Sequence, residues 1–190
     1  MSILRSSKWN YQTGSTGGVS IEFVIASGGD IALKDPGGHR VDFYYGGIGV
    51  GIGGGIRLSK IKVPKFALPD IKMPKIAGRE MGGAGSLESF DSGGFVFMTS
   101  AFRGAELSKS DFHGATVYID AGGGLGYGKA GSAMILGINP AKLALGLSTP
   151  AMAWLAEEAI AQAPAVLVMY GTTVGLIAGW GAGILVGYLH

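Results

Sequence analysis

Five glycines stand at positions 171, 175, 179, 183 and 187 of the stretch "GTTVGLIAGWGAGILVG", one every fourth residue. That spacing constrains the chain more than any other feature, because glycine is the least favourable ordinary residue in a helix. On a helix, residues four apart drift by about 40° per step, so the five would wind as one groove. At about 1 kcal/mol each relative to alanine, they cost about 5 kcal/mol, and close backbone packing is what can offset that. The spacing therefore predicts one glycine-zipper helix over 165–189, with Gly171, Gly175, Gly179, Gly183 and Gly187 as its packing positions. No charge occurs from Ala165 to Leu189. As a helix this stretch would be about 37 Å long, against a hydrocarbon core of about 30 Å. Its ten Ile, Leu and Val residues favour insertion by about 3–6 kcal/mol, which glycine and threonine erode. The competing expectation keeps the same helix inside a β domain.

Glycine is abundant elsewhere, with 36 in 190 residues against about 7% on average. There is no G-X-Y period, and the 47% hydrophobic content argues against disorder. "VSIEFVIAS" (19–27) and "DIALKD" (30–35) read as strands joined at the intervening "GG", and "DPGG" (35–38) as a turn. In "VDFYYGGIGVGIGGGIRL" (41–58), Gly49, Gly51 and Gly53 alternate with Ile48, Val50 and Ile52, giving a bare face and an aliphatic face. "GGFVFMTSAF" (93–102) and 115–138 also read as strands, the latter with Gly124, Gly126 and Gly128 alternating in the same way. Interior glycine in a strand marks a bend or a close backbone approach. The pattern predicts a mainly β fold: a glycine-rich antiparallel sandwich or barrel over 1–147, followed by a helical segment over 148–190.

An insert at 57–80 interrupts the strands. "IKVPKFALPD" is followed by "IKMPKIAGRE", and prolines 64, 69 and 74 exclude a continuous helix. Arg57, Lys60, Lys62, Lys65, Lys72, Lys75 and Arg79 stand against one acid, Asp70. Over these residues alone the insert resembles the lysine-proline-aliphatic repeats of the giant scaffold proteins desmoyokin and periaxin, which implies an extended interaction segment. Its aliphatic interleaving, from Ile61 to Ile76, suits anionic lipid better than nucleic acid, where stacking aromatics would be expected.

The C-terminal segment opens on "STPAMAWLAEEAIAQA". Ser148 and Thr149 can cap a helix, Pro150 suits its first turn, and Pro164 ends it. Catalytic signals are weak. "GGLGYGKA" (123–130) has phosphate-loop spacing, but Ala130 replaces the hydroxyl that would hold magnesium. His39, His113 and His190 are scattered, and Asp111 beside His113 forms no metal or nucleophile motif. Without cysteine there is no disulfide and no thiolate metal site. The start "MSILRSSKWNYQTGS" lacks an apolar signal region. The expectation is synthesis in the cytoplasm, then membrane association or export by a signal-independent route.

The sequence thus predicts a membrane-associating, self-assembling protein, a pore-forming or membrane-perturbing effector. Its expected partners are anionic lipid and further copies of itself. It is expected to need no cofactor, bind no nucleic acid and carry out no enzymatic reaction, and no small-molecule substrate is identified. The alternative is a soluble β module packed around its own glycine-rich helix.

Overall fold

Alternating segments leave backbone groups unpaired at every sheet edge, and closing the sheet removes the edges altogether. This chain takes that course. A computed structural model describes residues 2–21, 24–50, 66–67, 93–120, 131–170 and 183–190. The strands are β1 (Ser2–Ile3), β2 (Arg5–Ile21), β3 (Val24–Lys34), β4 (Arg40–Val50), β5 (Phe66–Ala67) and β6 (Gly93–Met98). They continue as β7 (Gly114–Asp120), β8 (Gly131–Ile138), β9 (Ala165–Tyr170) and β10 (Gly183–Leu189). Eight of them form a closed barrel in the order β10-β4-β3-β2-β6-β9-β8-β7. Every neighbouring pair is antiparallel, including β10 with β7, which closes the circle. β1 pairs in parallel with β5 outside the barrel.

The pleat divides the apolar residues into two cores. One cluster draws Trp9, Ile31, Leu33, Phe43, Val96, Met134, Leu167 and Leu189 from strands all round the circumference, so it is the barrel interior. The other takes Phe97, Val117, Ile135 and Val166 from β6–β9, with Val186 of β10 packed against them, and joins them to helical residues, so it lies outside. Along β9, Ala165 and Leu167 belong to the first cluster, Val166 and Val168 to the second.

The outer cover is a helical hairpin, α1 (Pro140–Ser148) and α2 (Ala153–Ala161). Asn139 caps α1 by accepting a hydrogen bond from the Lys142 N–H at 3.0 Å, with Pro140 at the first position. This helix is absent from the expectation above, although Asn-Pro is a start signal. Pro150 opens a 3₁₀ turn ahead of α2, and α2 ends before Pro164, as the sequence indicates. Gly146 lets the helices touch: a Cβ there would run into the Ala156 backbone nitrogen and sit 2.7 Å from its Cβ.

Two expectations are corrected. β2 and β3 pair as far as Ile21 and Val24, and Gly28 and Gly29 lie within β3, paired with Gly17 and Thr16, so the intervening "GG" does not separate two strands. The predicted helix over 165–189 is replaced by strand at both ends, β9 and β10. The physical reason is arithmetic: a spacing of four is nearly one helical turn, but it is also two strand repeats. Glycines four apart therefore share one face of a strand as readily as one groove of a helix, and β-branched Val166 and Val168 favour the strand. Among the described residues no helix is long and apolar enough to cross a membrane, which says nothing of crossing by strands.

Candidate functional site

The barrel's two ends are built differently. At one end β6 leads into β7 through residues 99–113, and this segment closes the interior. Phe112, fully buried, packs edge-on to Trp9 with centroids 4.8 Å apart and against Phe43 at 5.4 Å. Leu107 joins the same cluster. The plug is tied to β2 by polar contacts. Trp9 Nε1 donates to the Leu107 carbonyl at 2.8 Å, and the Arg5 guanidinium to the carbonyls of Phe102 and Gly104 at 2.9 and 3.2 Å. Glu106 is the centre of the tie. Its carboxylate accepts from Ser7 Oγ at 2.5 Å, Lys8 N–H at 2.9 Å and Leu107 N–H at 3.0 Å. Burial works to raise the Glu106 pKa, but these hydrogen bonds outweigh it and hold the carboxyl below its ordinary range. A capping box between Ser108 and Asp111 shapes the turn that delivers Phe112.

Below the plug the interior changes character. Tyr45 Oη and Thr116 Oγ1 are buried hydroxyls with no hydrogen-bond partner among the described residues. Thr116 stands opposite Gly187, which stands opposite Gly47 on its other side. By two-residue steps, the register that holds Phe43 and Tyr45 on β4 continues as Gly47 and Gly49, and the register that holds Leu189 on β10 continues as Gly187, Leu185 and Gly183. On β3 the register of Leu33 and Ile31 continues as Gly29, Ser27 and Ile25, paired on β2 with Thr16, Gly18 and Ser20. Of the bare face read in the sequence at 49–53, Gly49 falls on the register of the inner residues, while Gly51 and Gly53 lie outside the described residues. The opposite register of β4 and β10 at this end holds Ile48, Val50, Ile184 and Val186, and Val186 packs against the outer core cluster.

Of the residues singled out from sequence, Gly183 and Gly187 fall on β10, where Gly187 meets the backbone of Gly47 as a strand neighbour. Gly171, Gly175 and Gly179 lie outside the described residues, as do Gly124, Gly126, Gly128 and the phosphate-loop-like 123–130. So do Arg57, Lys60, Lys62, Lys65, Lys72, Lys75 and Arg79, although Phe66–Ala67 in their midst pairs with β1 beside the plugged end. The histidines do not converge. His39 closes the 35–39 turn against Asp35 at 3.3 Å, His113 meets the Phe43 ring, and His190 lies beside Tyr44 and Tyr188. Among the described residues no three His, Asp or Glu side chains cluster as a metal site. Sequence reasoning missed the plug. Its one local signal is the Ser108–Asp111 spacing, because Trp9 and Phe112 meet only through the closed sheet.

The chain is 36% identical to the toxin protein Tse4 of Pseudomonas aeruginosa over 193 aligned residues, which cover 98% of this chain and 95% of that protein. No protein-family model matches it, and neither does any solved structure.

Proposed function

The chain belongs to the family of the toxin protein Tse4, and from that premise we propose that it is a toxin that permeabilises membranes, the barrel interior being the path. The observation that carries this reading is the joint inversion of the barrel's two faces below Tyr45. On β2, β3, β4 and β10 the inner register passes mainly to glycine, serine and threonine, with Ile25 and Leu185 the larger residues left in it, while the outer register of β4 and β10 passes to isoleucine and valine. In a water-soluble barrel both changes are unfavourable, and in lipid both are favourable. Eight strands leave an interior just wide enough for side chains to fill. Glycine at most of those positions leaves part of that width to water. β3 and β4, at 11 residues each, have the length of a tilted membrane strand, about 9–11 residues.

The 99–113 plug makes the present arrangement the closed form, and the helical hairpin shields one sector of the outer wall. The basic insert is assigned to anionic headgroups, an assignment supported by its lysine-aliphatic interleaving and by the position of Phe66–Ala67 at the plugged end. One chain closes an eight-stranded wall; a wider opening would take further copies, since barrel diameter grows with strand number.

The test is leakage of small ions and of a larger dye from vesicles of phosphatidylcholine and phosphatidylglycerol, with the full chain added from solution. Ion leakage by the parent, lost in Gly47→Val and Gly49→Val variants that still bind, is the expected outcome. Vesicles that remain tight at protein concentrations where binding is complete refute the reading.

A further inference from the structure

We propose that Tyr44 and Tyr188 form an aromatic collar that seats the barrel in the headgroup layer of a bilayer, glycine-rich end inward and plugged end on the near side. The proposal rests on the membrane reading above and adds the depth and direction of insertion. Phe43 and Tyr45 are interior, so the even positions of β4 are outward. In order from the plugged end they are Arg40, Asp42, Tyr44 and Gly46, and the same register of the sequence continues as Ile48 and Val50. Arg40 and Asp42 are exposed and paired at 2.8 Å. Tyr44 is 56% exposed, an unusual state for so large a ring on a sheet. Gly46 opens onto empty space. Beyond it only aliphatic residues follow.

The neighbouring strand repeats the order independently. On β10 the register of His190 continues as Tyr188, Val186 and Ile184, with Tyr188 opposite Gly46, Val186 opposite Ile48 and Ile184 opposite Val50, and Val186 packs at the border of the outer core cluster. Tyr188 is 48% exposed. The Tyr44 and His190 backbones exchange two hydrogen bonds, at 2.9 and 3.1 Å. On β3 the residue opposite Tyr44 is Asp30, the last charge at an outward position of that strand, and Gly28, Ala26 and Val24 follow it. β3 and β4 therefore pass from charge to small and aliphatic residues at one level, β10 passes from Tyr188 to aliphatic residues at the same level, and the two tyrosines mark it. Charge, then aromatic, then aliphatic is the order in which a chain meets water, headgroups and hydrocarbon, and tyrosine favours that boundary because its ring is apolar and its hydroxyl is wet. A protein partner would require no such ordered gradient along several strands, so the occupant is the lipid interface.

The absence of cysteine allows single-cysteine variants of the full chain at 42, 44, 46 and 188, each carrying an environment-sensitive fluorophore. They are mixed with phosphatidylcholine–phosphatidylglycerol vesicles holding shallow or deep lipid quenchers, and leakage is read in the same sample. The label at 46 should shift to the blue and respond to the deep quencher. Those at 44 and 188 should respond to the shallow one, and that at 42 should remain aqueous. Tyr44→Ser with Tyr188→Ser should lower vesicle binding several-fold without changing the melting temperature, and tryptophan at both positions should restore it. Leakage with aqueous labels at 44 and 188, or with 42 as deep as 46, overturns the collar and leaves the permeabilising function intact. Failure of the parent to cause leakage overturns the reading on which the collar rests, and the collar with it.

Discussion

Replacing Glu106 by alanine should release the plug without unfolding the barrel. The carboxylate accepts three hydrogen bonds, from Ser7 Oγ, Lys8 N–H and Leu107 N–H. A bond to a charged acceptor contributes about 1.5–3 kcal/mol where water is excluded. Glu106 is only half-buried, so we take about 1 kcal/mol for each, or about 2–4 kcal/mol in all. Every 1.4 kcal/mol is tenfold in an equilibrium constant, so opening of the 99–113 segment should become about 30- to 1000-fold more frequent. Native-state hydrogen exchange reads this directly, at the amides of Lys8 and Leu107 and at the Trp9 indole N–H, which donates to the Leu107 carbonyl. Amides of β8 and β9, remote from the latch, should keep the parent's rates.

The same carboxylate makes the latch sensitive to acid. Its folded pKa lies below the ordinary value of 4.5. Its contribution is therefore fully present above that value and is lost as pH falls through the lower, folded pKa. Protection of the plug amides in the parent, taken relative to their intrinsic exchange at each pH, should fall below pH 4.5, whereas in Glu106→Gln it should be low throughout and insensitive to pH in that range. If Glu106→Ala leaves exchange at Lys8, Leu107 and Trp9 unchanged, the carboxylate does not hold the plug and the latch is wrong.

Thr116→Val should lower the melting temperature or leave it unchanged if water reaches the interior hydroxyls, whereas a rise would show that Thr116 Oγ1 is a dry orphan. Gly146→Ala should cost about 1–3 kcal/mol in thermal unfolding, since the added Cβ meets the Ala156 backbone and no flexible side chain can yield. Glutamine at Lys60, Lys62, Lys65, Lys72 and Lys75 should weaken binding to anionic vesicles at low salt and leave the fold unchanged; equal binding by the variant removes the lipid role from the insert.

Local chemistry was legible in the sequence, and long-range pairing was not. The "DPGG" turn, the strands from 41 to 50 and from 93 to 98, and the helix ended by Pro164 all follow from residues within a few positions of one another. The identity of 165–189 does not. Period four satisfies helix and strand alike, and the deciding fact is that β9 has β6 and β8 beside it and β10 has β4 and β7. Those partners come from as far away as residue 45. The plug was illegible for the same reason: Trp9 and Phe112 are 103 positions apart, and neither flank suggests the other. The glycine faces stood in plain view, but a bare face names no direction. Only closure of the sheet made it an inner one.

Closure also gives those glycines an energetic meaning. Each interior glycine on a strand is unfavourable by about 0.5–1 kcal/mol in backbone entropy and forgoes the packing that a larger residue would supply. A soluble barrel selected for stability would place Leu or Val at positions 47, 49 and 187, as this one does at Leu33, Leu167 and Leu189. The costs are not scattered. On β4 the interior passes from Phe43 and Tyr45 to Gly47 and Gly49 across the same residues where the outer face passes from Asp42 and Tyr44 to Ile48 and Val50. Two independent faces would have no reason to change at one level if water lay outside throughout. A change of solvent at that level accounts for both at once, with lipid outside, water inside and the tyrosines between.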